Sequence, residues 1–255
     1  MKTAVTVALD PCFAAGPFVF HDLNQAVDHA LRLGFDALEL FPGEPQSLPT
    51  RAQLGGLAVS AVGTGAGWVK HQLSLTDPDP GARRRAVGFV REMTVAAAEL
   101  GAPVIIGSMQ GRWAGDVPKD QARNWLGEAL ADIPGPLLVE PLNRYESNLL
   151  NTLADGVALL AAHRLSHVKL LADLFHMNIE EADLPAAIRA AGPHVGHVHL
   201  ADSNRRAAGL GHTDFGPVVA ALRDIGYAGD LSAECFPYPD PVAAAEATMA
   251  AVRRL

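Results

Sequence analysis

Cysteine is nearly absent: Cys12 and Cys235 are the only two in 255 residues, far apart and without C-x-x-C spacing. That excludes a disulfide framework and a thiolate metal site, and it leads us to expect a reducing, cytoplasmic setting. Long apolar runs are missing as well. The opening MKTAVTVALDPCFAAGPF is broken by Asp10 and Pro11, and nothing elsewhere approaches the length of a membrane span, so neither a signal peptide nor a membrane association is expected. Positive charge is scarce: 20 lysines and arginines face 28 acids, for a net charge of -8. No basic cluster is dense enough to track a phosphate backbone, which argues against a nucleic-acid partner. After the first apolar run the chain reads ALDPCFAAGP, with no G-x-G-x-x-G or G-x-x-x-x-G-K loop, so a doubly wound nucleotide-binding sheet lacks its signature.

What the chain does have is alternation. Eight short runs rich in Val, Ile, Leu and Ala recur: VTVAL (5 to 9), ALEL (37 to 40), LAVSAVG (57 to 63), PVIIG (103 to 107), LLVEPL (137 to 142), VKLLADL (168 to 174), VGHVHLA (195 to 201) and DLSAECF (230 to 236). Runs that are apolar on both faces suit parallel strands covered by helices. Between them lie helical stretches such as Pro80 to Leu100, where Val87, Val90, Met93, Ala97 and Leu100 share one face and Gly101 supplies a stop. Eight strand-and-helix pairs at about 32 residues each match an α/β (β/α)8 TIM barrel. We therefore expect one domain spanning residues 1–255.

Four groups able to bind a hard divalent cation sit near the carboxyl ends of the last four runs: Glu140, Asp173, His199 and Glu234. Their intervals of 33, 26 and 35 residues are close to one βα unit each, so each strand offers one ligand at equivalent height. Charged groups inside apolar strands are costly to bury unless paired or coordinated, and four converging on one barrel face call for a cation. Three carboxylates and an imidazole suit Mn, Mg or Co, with zinc a further candidate. His197, two residues before His199, shares its pleat face and is the alternative ligand; His199 lies nearer the carboxyl end.

At these residues the chain resembles the xylose isomerase-like TIM barrels, a superfamily of sugar isomerases, ketose 3-epimerases, hydroxypyruvate isomerases, inosose dehydratases and apurinic endonucleases. The pieces that carry the resemblance are VEPLNRYESN (139 to 148), LADLFHMN (171 to 178) and HVHLADSNRRAAGLGHTDF (197 to 215), with the helix LTDPDPGARRRAVGFVREMTVAAAELGA (75 to 102). Within the superfamily the pattern is most similar to ketose 3-epimerases, whose metal is held by a Glu, Asp, His, Glu set matching the four residues above. Carried over by position, Glu146, His176 and Arg205 fall where such enzymes contact substrate oxygens near the carbonyl end. The resemblance does not assign Trp68, His71 or Trp113; each is a candidate for shaping the sugar pocket, with a core or rim role as the alternative. His212, in the glycine-rich GLGHTDF segment, is a candidate for reaching substrate or for structuring its own loop.

The resemblance implies a metal-dependent enzyme that inverts C3 of a ketose or keto-sugar acid through a cis-enediolate, with Glu140 and Glu234 as base and acid on opposite faces. Alternatives using the same site are an aldose-ketose or hydroxypyruvate-type isomerase, an inosose dehydratase-like lyase, and a metal- and sugar-binding protein without turnover. The endonuclease reading fails on the residues: strand four ends in IIGSMQG without histidine, and GHTDF lacks a D-x-H pair. Apart from Arg205 and Arg206 no basic cluster marks a phosphate site, which favours an unphosphorylated small-molecule sugar. A homodimer or homotetramer is the candidate assembly.

Overall fold

The computed structural model describes residues 1–255. Eight parallel strands close into a barrel in chain order, β1 through β8. They are β1 (Lys2–Ala8), β2 (Ala37–Phe41), β3 (Ala58–Gly63), β4 (Val104–Ile106), β5 (Leu137–Val139), β6 (Val168–Asp173), β7 (Val195–His199) and β8 (Asp230–Ala233). Pairing of Lys2 to Asp230 and of Val5 to Ala233 joins the last strand to the first. The expected (β/α)8 architecture is thus the one found. No helix is long and apolar enough to cross a membrane.

Nine α-helices cover the barrel: α1 (Leu23–Leu33), α2 (Gly65–Val69), α3 (Pro80–Leu100), α4 (Lys119–Asp132), α5 (Leu153–His163), α6 (Leu174–Glu180), α7 (Leu184–Ala191), α8 (Phe215–Asp224) and α9 (Pro241–Val252). Their starts are written in the sequence. Asp22, Asp79, Thr152, Asp183, Asp214 and Asp240 each accept a backbone N–H of the first turn, α3 and α9 begin on proline, and α7 has Pro185 as its second residue. Helix α3 ends at Gly101 in the left-handed conformation, as expected of that stop.

One pair departs from the expected alternation. Between β2 and β3 there is no α-helix, only two 3-10 turns at Pro45–Ser47 and Arg51–Leu54. Pro42, Pro45 and Pro49 deny the segment three amide donors, and Gly55 and Gly56 close it with positive φ. Several strands also end earlier than their apolar runs. Strand β5 stops at Val139 and β8 at Ala233, so Glu140 and Glu234 leave the ladder as they turn into the barrel mouth.

The apolar interior has two parts of unequal size. A layer of 61 buried residues lies between strands and helices, and a lumen cluster of nine includes Phe13, Phe18, Phe41, Ala61, Ile105, Leu138 and Leu171. Most of the hydrophobic stabilisation therefore comes from outside the barrel, at roughly 25 cal/mol per Å² buried. That leaves part of the lumen free for polar groups.

Candidate active site

Each of the four metal-ligand candidates arrives at the carboxyl end of its strand. Asp173 and His199 are the last residues of β6 and β7, and paired strands put them in register with each other. Glu140 and Glu234 follow β5 and β8 directly. One donor atom from each lies within 4.8 Å of all the others, and all four side chains are buried. His199 Nδ1 is the centre of the group: Asp173 Oδ2 stands 3.3 Å away, Glu140 Oε1 3.5 Å and Glu234 Oε2 3.5 Å.

The chemistry of this donor set fits a divalent ion. Ligands about 2.0–2.2 Å from one ion stand roughly 3–3.6 Å from each other, which matches the spacings around Nδ1. Glu140 Oε1 is buried and has no hydrogen-bond partner, an arrangement that costs on the order of 1–3 kcal/mol or more unless something positive meets it. Electrostatics agree. Burial raises the Glu140 carboxyl above its usual range, opposed by the nearby His199 and reinforced by the charge of Glu234. Burial also works against the Asp173 carboxylate, but the neighbouring His176, His199 and Arg205 outweigh it and hold the group below its usual range.

His199 is oriented from behind by Glu39, a residue the periodicity of the sequence did not single out. Glu39 lies in β2 between Leu38 and Leu40, fully buried. Its Oε1 accepts from His199 Nε2 at 2.8 Å and its Oε2 from His197 Nε2 at 2.5 Å. His197 thus turns toward Glu39 and away from the four-residue cluster, and His199 is the imidazole that faces it. The available signal was the one that flagged the other four: a carboxylate inside an apolar strand needs a partner.

The cluster opens into a cavity of about 250 Å³ at the barrel mouth. Glu140, Glu146, His176, Arg205 and Glu234 supply its polar lining, and Cys12, Phe13, Phe18, Phe41 and Ile105, from β1 to β4 and the loop after β1, supply apolar lining. Arg205 sits in the loop after β7 with φ 58. Its Nη2 donates to Glu234 Oε2 at 2.9 Å, its Nη1 donates to Glu146 Oε1 at 3.0 Å, and its plane lies over Phe175 at 4.8 Å. Burial alone would discourage the charge, yet Glu234, Asp173 and Glu146 together hold the guanidinium firmly protonated.

His176 stands in α6 beside the cluster. Its Nδ1 accepts from the backbone amide of Asn143 at 3.2 Å and from Asn143 Nδ2 at 2.7 Å. That leaves the proton on Nε2, which lies 3.7 Å from Glu140 Oε1. Glu146 is fixed by Asn143 Nδ2 at 3.1 Å as well as by Arg205.

Four other candidates are not brought to the cavity. Trp113 donates from Nε1 to the carbonyl of Asn148 at 3.1 Å and pins the loops after β4 and β5 together. Trp68 is 40% exposed in α2, on the outer side of the turn whose Val69 reaches the cavity. His212 is exposed, and its backbone amide donates to Ser203 Oγ. Trp113 and His212 lie in loops, where periodicity carries no information. His71 pairs with Glu44 at 2.9 Å and lies outside the cavity lining as well.

The family model described as xylose isomerase-like TIM barrel matches residues 27–255. The chain belongs to that family. Among curated members, a D-psicose 3-epimerase of Ruminiclostridium cellulolyticum is 32% identical over 231 residues, covering 84% of this chain and 78% of that protein. A 3-dehydro-D-guloside 4-epimerase of Escherichia coli is 42% identical over 91 residues, 36% of this chain and 35% of that protein. A solved L-ribulose 3-epimerase superposes with a TM-score of 0.83 at 27% identity, covering 99% of this chain and 93% of that one. These similar members of the family are sugar epimerases.

Proposed function

We propose that the protein is a divalent-metal-dependent epimerase that inverts C3 of an unphosphorylated ketose. The observation that carries this reading is that Glu140 and Glu234, from strands three apart, converge on one small cavity together with two fixed donors, Arg205 and His176. The psicose and ribulose 3-epimerase relatives support the substrate class. At about 250 Å³ the cavity lies below the ~300–1,000 Å³ of drug-sized sites, which suits a monosaccharide.

Glu140, Asp173, His199 and Glu234 would hold the ion. When bound, such an ion supplies Lewis acidity toward a carbonyl oxygen and its neighbouring hydroxyl. The protein's own groups do the rest. One of the carboxylates of Glu140 and Glu234 takes the proton from the carbon next to the carbonyl, and the other returns a proton to the opposite face of the planar enediolate. Inversion at that carbon is the result.

Arg205 donates to the oxygen at the carbonyl end, since its guanidinium is already aimed by Glu146 and Glu234 and loses little freedom on binding. His176 presents Nε2–H as a second donor, its tautomer set by Asn143. Glu146 accepts from a substrate hydroxyl once substrate enters beside Arg205. The facing wall of Phe13, Phe18, Phe41 and Ile105 excludes water from the reacting carbon.

A 4-epimerase acting on a 3-keto sugar is the second reading, supported by the 42% identity over 91 residues to such an enzyme. The two share the chemistry of deprotonation beside a carbonyl and differ in which carbon inverts. Incubating the Mn-loaded protein with D-psicose, L-ribulose and a 3-keto glycoside, and resolving products by chromatography, separates them. Formation of the C3 epimer of a ketose supports the proposal. Conversion confined to the 3-keto glycoside, or none at all, overturns it.

A further inference from the structure

Glu39 and His197 are buried in one cluster with His199, do not line the cavity, and have no role in the steps above. Three ionisable groups enclosed among apolar side chains cost several kcal/mol each unless they serve one another. The spacing rules out a second ion seated between them, because 2.5 Å and 2.8 Å are the lengths of direct hydrogen bonds.

We propose that Glu39 is a positioning residue: its carboxylate fixes the tautomer and ring orientation of His199 so that Nδ1 presents a lone pair to the ion, with His197 holding Glu39 in place. The proposal rests on the reading of Glu140, Asp173, His199 and Glu234 as a metal site. A carboxylate only accepts, so the bond to Glu39 Oε1 assigns the His199 proton to Nε2 and leaves Nδ1 free at the centre of the three acidic ligands. Without Glu39 the ring could carry its proton on either nitrogen, and the tautomer protonated at Nδ1 cannot bind the ion. A metal-bound imidazole generally owes part of its affinity to such a partner.

The strands are built to deliver this contact. Pairing of β2 with β3 shifts register between Leu38 and Glu39, so that Ser60 is skipped and Glu39 pairs with Ala61. Pairing of β6 with β7 shifts between Leu170 and Leu171, so that Gly196 is skipped and His197 pairs with Leu171. Bulges of this kind re-aim the side chains that follow them. Here the extra residue Gly196 sits immediately before His197 on β7, while the extra residue Ser60 on β3 sets the pairing of Glu39, the other end of the same hydrogen bond. Gly196 also has no room for a side chain, since a Cβ there would lie 2.5 Å from Lys169 Cβ.

Titration of the stripped protein with Co²⁺ alone, followed by its visible absorption and by calorimetry, tests this directly. Wild type is expected to take one equivalent. E39Q, which keeps the shape but offers a single acceptor oxygen, is expected to take one equivalent with Kd raised about 10–100-fold and with an altered Co²⁺ spectrum. An E39Q protein with wild-type Kd and spectrum overturns the proposal, as does wild type binding two equivalents of which E39Q loses one. If E39Q does not fold, H197Q carries the test: a several-fold weaker Kd supports the proposal and an unchanged Kd overturns it. Failure of wild type to bind Co²⁺ at all would instead strike the metal-site reading, so the two failures are distinguishable.

Discussion

The two halves of the barrel mouth differ in chemistry although they share one strand geometry. Strands β5 to β8 end in Glu140, Asp173, His199 and Glu234, whereas β2 to β4 end in or beside Phe41, Gly63 and Ile106. On the apolar side Phe18 and Phe41 pack as a tilted pair with ring centroids 4.4 Å apart, and Phe13 sits edge-on to Phe18 at 5.2 Å. Gly63 makes room for this packing, because a Cβ there would fall 2.3 Å from the Phe41 ring. A closed barrel thus separates reactivity from shape: one arc holds the charges and the other holds a dry wall against them. The low polarity of the wall strengthens each electrostatic contact on the facing arc.

The sharpest way to break the comparison is to neutralise the polar arc without disturbing the wall. E234Q and E140Q are each expected to lose on the order of 10²–10⁴-fold in kcat while remaining folded, as checked by turnover alongside circular dichroism. Gly107, at the end of β4, is where the arcs meet: a Cβ there would lie 2.6 Å from Glu140 Oε2. G107A is expected to displace that carboxylate and cost about 10²-fold in kcat, with little change in the melting temperature. Equal losses of activity and stability would show that Gly107 serves packing instead.

Mutation of the wall should give the opposite signature. F41A removes a 5% exposed ring from the lumen cluster and is expected to cost about 3–5 kcal/mol of stability, read by denaturant unfolding. Its surviving folded fraction should lose more in KM than in kcat. A kcat loss as large as that of E234Q would end the division of labour between the arcs.

The polar arc was the more legible half. Its ligands sit one βα unit apart, and period and burial cost together are enough to find such residues. Glu39 obeys the same burial argument but has no partner one unit away in either direction, so periodicity passes over it. The wall was illegible for a different reason: Phe13 and Phe18 lie in the loop after β1, and nothing in their spacing says that they fold back into the lumen. Loops also decided Trp113 and His212, which hydrogen bonds to Asn148 and Ser203 place. The missing helix between β2 and β3 could be read from its three prolines.

A smaller effect is expected at Asp202, three residues beyond His199, which shapes the loop that carries Arg205. Its carboxylate accepts from the amides of Ser203, Gly209 and Thr213 at 2.8, 2.8 and 3.0 Å. Burial disfavours its charge, but these amides outweigh it and hold the group below the usual carboxylate range. A depressed folded-state value means that the stabilisation is present above the unfolded value of about 3.9 and is lost as pH falls through the folded one. D202N is therefore expected to be about 1–3 kcal/mol less stable at neutral pH. That gap should narrow below about pH 4, as checked by unfolding at both pH values; a gap independent of pH would mean that shape, not charge, organises the loop.

The central claim is that the polar arc, loaded with a divalent ion, moves a proton at C3 of a ketose. Incubating the stripped and the Mn-reloaded protein with D-psicose in D₂O, and locating deuterium by NMR, tests it most directly. The account predicts deuterium at C3 together with the epimeric ketose, only in the reloaded protein, and lost again on adding chelator. Deuterium entering at C1 alone, or C3 exchange unaffected by chelation, would contradict it.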